Sequence, residues 1–200
     1  MSDRSYLVAG LGNIGAEYAA TRHNIGFMVL DAWAQASNIT FSTVRYGDMA
    51  TDSVKGRKFH LLKPSTYMNL SGNAIRYWMQ ELEIPRENLI VICDDINLPF
   101  GTVRMRLSGS DGGHNGLKNI EELLETREYA RIRVGVGHAF NEGGQIDFVL
   151  GPFRLDEIPE LPEITQRVAG GVRTWALAGA QKAMTELNTK AKNAENSTNQ

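Results

Sequence analysis

Two continuous apolar runs, Tyr6–Ala9 and Leu89–Cys93, constrain the fold of this chain more than any other feature. Strands that are apolar at every position are typical of a sheet that is covered on both faces. Between these runs, the apolar residues from Ile25 to Ala36 recur at helical spacing, which predicts an amphipathic helix. Strands that alternate with helices indicate a layered α/β domain.

The remaining segments extend this interpretation. Residues 40–63 predict short strands broken at Gly47-Asp48 and at Lys55-Gly56, which makes the sheet a mixed one. Further strands are predicted at residues 102–107, 130–136 and 146–150. Further helices are predicted from Ser65 or Thr66 to Leu82, from Asn115 to Glu125, and from Asp156 to about Leu187 despite Gly170-Gly171. We therefore expect a single α/β domain over residues 1–188, a twisted mixed β-sheet with helices on both faces, followed by a polar, disordered tail over 189–200.

Composition excludes several classes of protein. The net charge of −2 predicts no global attraction to nucleic acid, so any such binding requires a local basic patch. The single cysteine excludes an internal disulfide and fits a reducing compartment. No apolar run approaches the roughly 20 residues that span a bilayer, and the first ten residues lack the features of a signal peptide. These observations predict a cytoplasmic protein with no membrane segment.

The pattern Gly10-x-Gly12-x-x-Gly15 follows the first apolar run and raises the possibility of a dinucleotide site. That site requires a helix that starts within the glycine turn and holds a pyrophosphate at its N-terminus. Here the helical period begins only near Ile25, and Asp31, which has the spacing of the ribose-binding acid, lies inside that helix. A dinucleotide-dependent oxidoreductase is therefore a disfavoured alternative.

Polar residues cluster where predicted strands end and predicted helices begin. The segments Thr21–Gly26, Ser65–Asn69 and Gly112–Gly116 each place Asn or His at a helix start, and Asp94-Asp95 ends a strand. Sites in open α/β sheets form outside the carboxyl ends of the strands. We therefore expect one cleft to contain the side chains of Asn13, His23, Asn69, Asp94 and Asn115.

Such a cleft suits hydrolysis by an activated water. A neutral imidazole is the best general base near pH 7, and a helix N-terminus disfavours its protonated form. A nearby carboxylate fixes the imidazole tautomer and stabilises the imidazolium once it forms. The sequence contains no Gly-x-Ser-x-Gly nucleophile elbow, which favours direct attack by water.

Taken together, these motifs resemble the bacterial-type peptidyl-tRNA hydrolase family. The resemblance rests on GLGNIGAEYAATRHNIGFMVLD, LLKPSTYMNLSG, VICDDINLPFGTVRMR, GGHNGLKNI and RIRVGVGH, which occur in family order, followed by FVLGPF. It implies a monomeric α/β fold. It also implies hydrolysis of the ester between a peptide, or another N-blocked aminoacyl group, and the 3′ ribose of tRNA, which recycles prematurely released peptidyl-tRNA.

The resemblance also implies roles for individual residues. The family's catalytic base falls on His23, its orienting carboxylate on Asp94, and the asparagine that helps to distinguish blocked from free aminoacyl groups on Asn13. Substrate-contacting positions fall on Tyr18, Tyr67, Asn69 and Asn115, with Met68 and His114 beside them. The chain departs from the usual family pattern at Ile14, at Cys93 and in the Ser108–Asp111 segment.

Paired arginines predict where tRNA phosphates bind. Arg104 and Arg106 are two residues apart and so share one strand face, as do Arg131 and Arg133. Two such strands would form a local cationic patch with Lys118 nearby, and the planar fork of arginine suits phosphate. The alternative is a solvated strand face whose charges are balanced by acids.

No cofactor is expected. The histidines at 23, 60, 114 and 138 show no metal-ligand spacing, so we predict no metal. Cys93 ends an apolar strand and is interpreted as buried and inert. A second hypothesis remains for the chain as a whole: a non-catalytic, RNA-binding relative of the family, like organellar splicing factors, which the intact His23–Asp94 pair disfavours.

Overall fold

A seven-stranded mixed sheet organises the protein. The structure, a computed structural model, describes residues 4–189, so the predicted tail lies outside the described residues except for Thr189. The strands are β1 Ser5–Gly10, β2 Ser42–Val44, β3 Gly47–Val54, β4 Arg57–Pro64, β5 Leu89–Asp95, β6 Val103–Arg106 and β7 Ala130–Gly135. Their order is β2-β3-β4-β1-β5-β7-β6. The four inner strands β4, β1, β5 and β7 are parallel, while β2, β3 and β6 add antiparallel edges.

Helices cover both faces of the sheet, as the sequence predicts. They are α1 Ile25–Ala36, α2 Ser71–Glu81, α3 Asn115–Leu124, α4 Gln145–Val149, α5 Leu161–Ala178 and α6 Ala180–Asn188. One core forms where Tyr6 and Val8 of β1 face α1, α5 and α6. The other core forms where Leu7 and Ala9 face α2 and α3. The alternation of β1 side chains between two cores explains why this strand is apolar throughout.

The predicted helix start at Ser65 or Thr66 is wrong, because α2 begins only at Ser71. Ser65 N–H donates to the Tyr46 carbonyl over 2.8 Å, which ties this segment to the turn between β2 and β3. Tyr67 is also extended, and a 3₁₀ turn over Met68–Leu70 precedes the helix. The strand break predicted at Gly47-Asp48 likewise lies slightly earlier, since Gly47 is the first residue of β3.

The strand predicted at 146–150 is wrong as well, since Gln145–Val149 forms the short helix α4. A short, mostly apolar segment does not by itself distinguish a strand from a helical turn. The spacing of Ile146, Val149 and Leu150 is helical, and all three line the same cavity.

The C-terminal region is mainly helical, as predicted, but it is interrupted at an unexpected glycine. Gly179 adopts φ +96 between α5 and α6, a conformation that L side chains rarely adopt. Gly171 lies inside α5, where a Cβ would collide with Leu187 of α6, so this glycine permits close packing of the two helices. None of the helices within residues 4–189 is long and apolar enough to cross a membrane.

Candidate active site

A cavity of about 400 Å³ opens at the carboxyl ends of the parallel strands. Its lining combines Asn13 after β1, the end of β5 with the residues that follow it, and Arg133 of β7 with residues at the start of α3 and along α4. Of the predicted site residues, it contains Asn13, His23, Asp94, His114, Asn115 and Arg133. The structure thus brings most of the polar set to one place, as expected for an open α/β sheet.

Two glycines allow α1 to approach the sheet at this point. A Cβ on Gly10, at the end of β1, would collide with the Gly26 carbonyl, and a Cβ on Gly26 would lie 2.6 Å from the Ile92 carbonyl. The 3₁₀ turn Arg22–Asn24, which precedes α1, is therefore held beside the end of β5. Gly10 of the glycine motif therefore permits the close packing of α1 against β1.

A carboxylate bonded to two imidazoles lies at the centre of the cavity wall. His23 Nδ1 lies 2.8 Å from Asp94 Oδ1 and 3.0 Å from Oδ2. His114 Nε2 lies 2.9 Å from the same Oδ1. The two rings are 5.1 Å apart between centroids. Asp94 is only 4% exposed, so its charge depends on these partners rather than on water.

The hydrogen bonds determine the tautomers of both histidines. His114 Nδ1 accepts from the backbone N–H groups of Gly116 and Leu117 and so caps α3, which places its proton on Nε2. The Asp94 carboxylate accepts hydrogen bonds, so the proton of neutral His23 lies on Nδ1. This leaves the Nε2 lone pair of His23 available to a substrate or a water molecule.

The charge of Asp94 is stabilised despite its burial. Burial alone would raise the pKa of this carboxyl. The imidazoles, His114 more than His23, outweigh burial and hold the pKa of Asp94 well below its usual range. Asp94 is therefore ionised at neutral pH.

Asn24 was not among the predicted site residues, but it fixes Asn13. The Asn13 N–H donates to Asn24 Oδ1 over 2.8 Å, and Asn24 Nδ2 donates to the Asn13 carbonyl over 2.9 Å. Asn24 is 2% exposed. Its position next to His23 is the only sequence signal that could have indicated this role.

The other predicted substrate contacts surround the cavity without lining it. Met68 is buried, and the tight approach of Gly116 to its Sδ holds the Met68–Leu70 turn against the start of α3. Asn69 is exposed on that turn, Tyr67 is 78% exposed beside it, and Tyr18 is half-buried in the 3₁₀ turn Ala16–Tyr18.

The predicted arginine pairs lie opposite one another on β6 and β7, but they differ in their surroundings. Arg131 is fully buried, stacks 3.9 Å from the Tyr129 ring centroid and bonds to Glu121 and backbone carbonyls, so its guanidinium is inaccessible to phosphate. Arg133 lines the cavity and bonds to the Ser110 carbonyl, and Arg104 bonds to the Asn188 carbonyl. Arg106 is exposed, which leaves its charge available to a partner.

One side-chain cluster has the composition of a metal site. His23, Asp94 and His114 each offer a ligand atom, and these atoms lie within 4.8 Å of one another. The tautomers assigned above place protons on the two nitrogens that face Asp94, so this arrangement is a hydrogen-bonded triad. The absence of a metal remains a prediction. Cys93 is completely buried, and burial raises the pKa of its thiol far above its usual range, which agrees with an inert side chain.

Comparisons with known proteins agree with this geometry. The family model described as peptidyl-tRNA hydrolase matches residues 7–196. The peptidyl-tRNA hydrolase of Phocaeicola vulgatus is 55% identical over 185 residues, which cover 92% of this chain and 99% of the relative. That of Bacillus subtilis is 41% identical over 185 residues, which cover 92% and 98%. The crystal structure of peptidyl-tRNA hydrolase from Acinetobacter baumannii superposes with a TM-score of 0.87 at 30% identity and covers 94% of this chain and 96% of that one.

A more distant likeness concerns the fold alone. An Arabidopsis thaliana 5′-methylthioadenosine nucleosidase shares the architecture with a TM-score of 0.53 at 7% identity. The relatives and the family model, in contrast, match nearly the whole chain. The resemblance seen in the sequence motifs is thereby confirmed, and the chain belongs to the peptidyl-tRNA hydrolase family.

Proposed function

We propose that His23 is the general base with which this hydrolase cleaves the ester between a peptide and the 3′ ribose of tRNA. The observation that carries the proposal is the bond from His23 Nδ1 to Asp94, which leaves His23 Nε2 free in the cavity. A base in this tautomer accepts a proton from water at Nε2.

The chemical steps follow from this arrangement. A water proton passes to His23 Nε2, and the resulting hydroxide attacks the ester carbonyl carbon. Asp94 stabilises the imidazolium, because its buried carboxylate stays ionised beside His23. The tetrahedral intermediate then collapses, the bond from carbon to the ribose 3′ oxygen breaks, and the proton on His23 passes to that oxygen.

Side-chain amides near His23 are suited to binding the substrate. Asn115 begins α3 and lines the cavity, and Asn69 lies on the neighbouring turn. Amides donate and accept hydrogen bonds without titrating. We assign Asn69 and Asn115 to positioning the ester and stabilising its developing oxyanion, and Asn13 to recognising the blocked amino group.

The tRNA itself is the proposed macromolecular partner. Arg133 and Arg106 lie on the two adjacent strands at the β6 edge of the sheet, with Arg106 exposed and Arg133 at the cavity. Phosphates of the acceptor end would bind there, with Arg104 beside them, while Tyr18, Tyr67, Met68 and His114 shape the path to His23. We infer further that the protein is a monomer that acts in the cytoplasm. Analytical sedimentation of the purified protein with and without tRNA would establish its oligomeric state and the stoichiometry of the complex.

The direct test is hydrolysis of an N-acetylated aminoacyl-tRNA. Release of the N-acetyl amino acid, with the free aminoacyl-tRNA as a poorer substrate, would support the activity, and loss of that preference in Asn13→Ala would support the role of Asn13. Binding of tRNA without turnover would instead support the non-catalytic, RNA-binding relative. A titration with NAD(H) that produced no change in fluorescence would remove the dinucleotide alternative.

A further inference from the structure

The residue before His23 has an unusual environment for an arginine. Arg22 is only 7% exposed, and its guanidinium lies 4.1 Å from the centroid of the Phe148 ring. Its Nη1 donates to the Phe148 carbonyl over 3.1 Å, and its Nη2 lies 3.6 Å from Glu157 Oε1. A buried arginine that is stacked, hydrogen-bonded and ion-paired at once is held in one geometry.

The backbone beside Arg22 makes further contacts with the same segment. The Arg22 N–H donates to the Gly151 carbonyl over 3.0 Å. Thr21 and Pro152 form an isolated antiparallel bridge. The chain that carries His23 is therefore attached to the chain that follows α4 through both its backbone and the Arg22 side chain.

Helix α4 depends on such contacts for its position. With five residues, it is far shorter than the length at which a helix is stable alone. It packs chiefly against the Arg22–Asn24 turn. The Phe148 carbonyl lies in its last turn, where it accepts from the Gly151 N–H over 3.2 Å as well as from Arg22, and a cation is favourable at this end of a helix.

The position of α4 matters because this helix forms one wall of the cavity. Gln145, Ile146, Val149 and Leu150 all line the space that His23 and Asp94 face. Ile146 is 70% exposed, so it offers apolar surface to whatever enters the cavity. Any shift of α4 would change the distance between this wall and the base.

We propose that Arg22 is a positioning residue that fixes the α4 wall relative to His23, so that substrate held against this wall has its ester beside His23 Nε2. This proposal rests on the proposed function, because it assigns the wall to substrate binding. Arg22 acts through Phe148 and α4, and the His23–Asp94 bond does not involve it.

The first arm of the test measures kinetics on an N-acetylated aminoacyl-tRNA. Arg22→Met removes the charge and the stacking, and we expect KM to rise about fivefold to tenfold while kcat changes less than about twofold. Arg22→Lys keeps the charge but not the planar stack, and it should give an intermediate KM. Arg154→Met is the matched control, since Arg154 is exposed and its ion pairs are with Asp156 and the same Glu157, and its KM should equal that of the wild type.

The second arm tests coupling to the wall. Ile146→Ala should raise KM in the wild type, but it should have a smaller effect in Arg22→Met, where the wall is already displaced. Additive effects of the two substitutions would indicate a purely structural role for Arg22 and would overturn the proposal.

The third arm is amide hydrogen exchange of residues 145–151, which requires no turnover. We expect exchange there to accelerate about tenfold in Arg22→Met, with β1 and β5 unchanged. Either unchanged exchange or an unchanged KM would refute the proposal. If Arg22→Met fails to fold, Arg22→Lys and Phe148→Leu carry the same measurements. Full turnover in a His23→Ala variant would contradict the proposed function, whereas the exchange result would still report on Arg22.

Discussion

His114 donates from Nε2 to Asp94 Oδ1 over 2.9 Å, and this bond connects the N-terminus of α3 to the end of β5. The same oxygen lies 2.8 Å from His23 Nδ1. His114 is itself fixed by two backbone N–H groups at its other ring nitrogen. The orientation of His23 thus depends on a second histidine that lies one hydrogen bond beyond its carboxylate partner.

Substitution of His114 should therefore reduce kcat without abolishing it. His114→Asn retains a residue that caps helices well but does not reach Asp94, so the α3 start is preserved while the bond is lost. We expect kcat to fall about tenfold to a hundredfold, the usual effect of removing a group that orients a primary side chain. Single-turnover rates check this, with the melting temperature as the control for folding. A wild-type rate in His114→Asn would remove His114 from the positioning chain.

Acid stability should depend on the same bond. The pKa of Asp94 is lowered in the folded state, so its stabilising contribution is present above the unfolded-state pKa of about 4 and is lost as the pH falls through the lower, folded-state pKa. Loss of His114 removes the larger of the two favourable influences and raises the folded-state pKa. We therefore expect His114→Asn to unfold at a higher pH than the wild type when circular dichroism is followed from about pH 5 to pH 2.

An exposed aspartate provides the control for acid unfolding. Asp156 also has a lowered pKa, caused first by its hydrogen bond with Arg154, but the pair is at the surface. Surface ion pairs contribute little to stability, so Asp156→Asn should unfold at the same pH as the wild type. Equal midpoints for His114→Asn and the wild type would contradict the role assigned to His114.

Asn24 should act only through Asn13. Because both polar atoms of the Asn24 amide bond to the Asn13 backbone, Asn24→Ala releases the loop that presents Asn13. We expect kcat/KM to fall about tenfold to a hundredfold, and the double variant Asn13→Ala/Asn24→Ala to be no worse than Asn13→Ala alone. Asn24→Asp keeps the hydrogen-bond acceptor and loses the donor, so its kcat/KM should lie between those of the wild type and Asn24→Ala. Independent, additive losses would show that Asn24 acts by another route.

Substitutions of Arg106 and Arg131 should have different effects, on tRNA binding and on stability respectively, although the two residues pair in register across β6 and β7. Arg106→Gln should raise KM and reduce the slope of log affinity against log salt by about one, because an exposed cation is lost from the phosphate surface. Arg131→Met should lower the free energy of unfolding by about 2 kcal/mol, since it removes the buried partner of Glu121, which keeps only Arg127, and leaves the Gly109 and Arg127 carbonyls without the Arg131 donor. Filter binding across a salt series measures the effect of Arg106→Gln, and denaturant unfolding measures that of Arg131→Met. An unchanged salt slope in Arg106→Gln would exclude Arg106 from the tRNA surface.

The sequence predicts the central strands β1 and β5 well because both contain a continuous apolar run. Tyr6–Ala9 and Leu89–Cys93 are apolar throughout since helices cover both faces of the sheet. Contacts between distant segments produce no comparable pattern in the local sequence. The two-residue spacing places Arg131 and Arg133 on one face, but it does not show that Glu121 of α3 and the Gly109 carbonyl cover Arg131.

Some features of the candidate site can likewise be predicted from the sequence, whereas others depend on tertiary packing. The motif order brings His23, Asp94 and Asn115 to one cleft, because strand ends meet at one edge of a parallel sheet. The link from His114 to Asp94 depends on how α3 docks beside β5, and the α4 wall depends on a helix too short to be distinguished from a strand by periodicity. Both are tertiary features that local patterns do not encode.

The most direct test of the central claim is the single-turnover rate of His23→Ala on an N-acetylated aminoacyl-tRNA, measured beside its affinity for tRNA. If His23 Nε2 accepts the proton from water, the rate should fall by about a thousandfold or more while tRNA affinity and the melting temperature stay at wild-type values. A variant that binds tRNA normally and hydrolyses the ester at the wild-type rate would contradict the account.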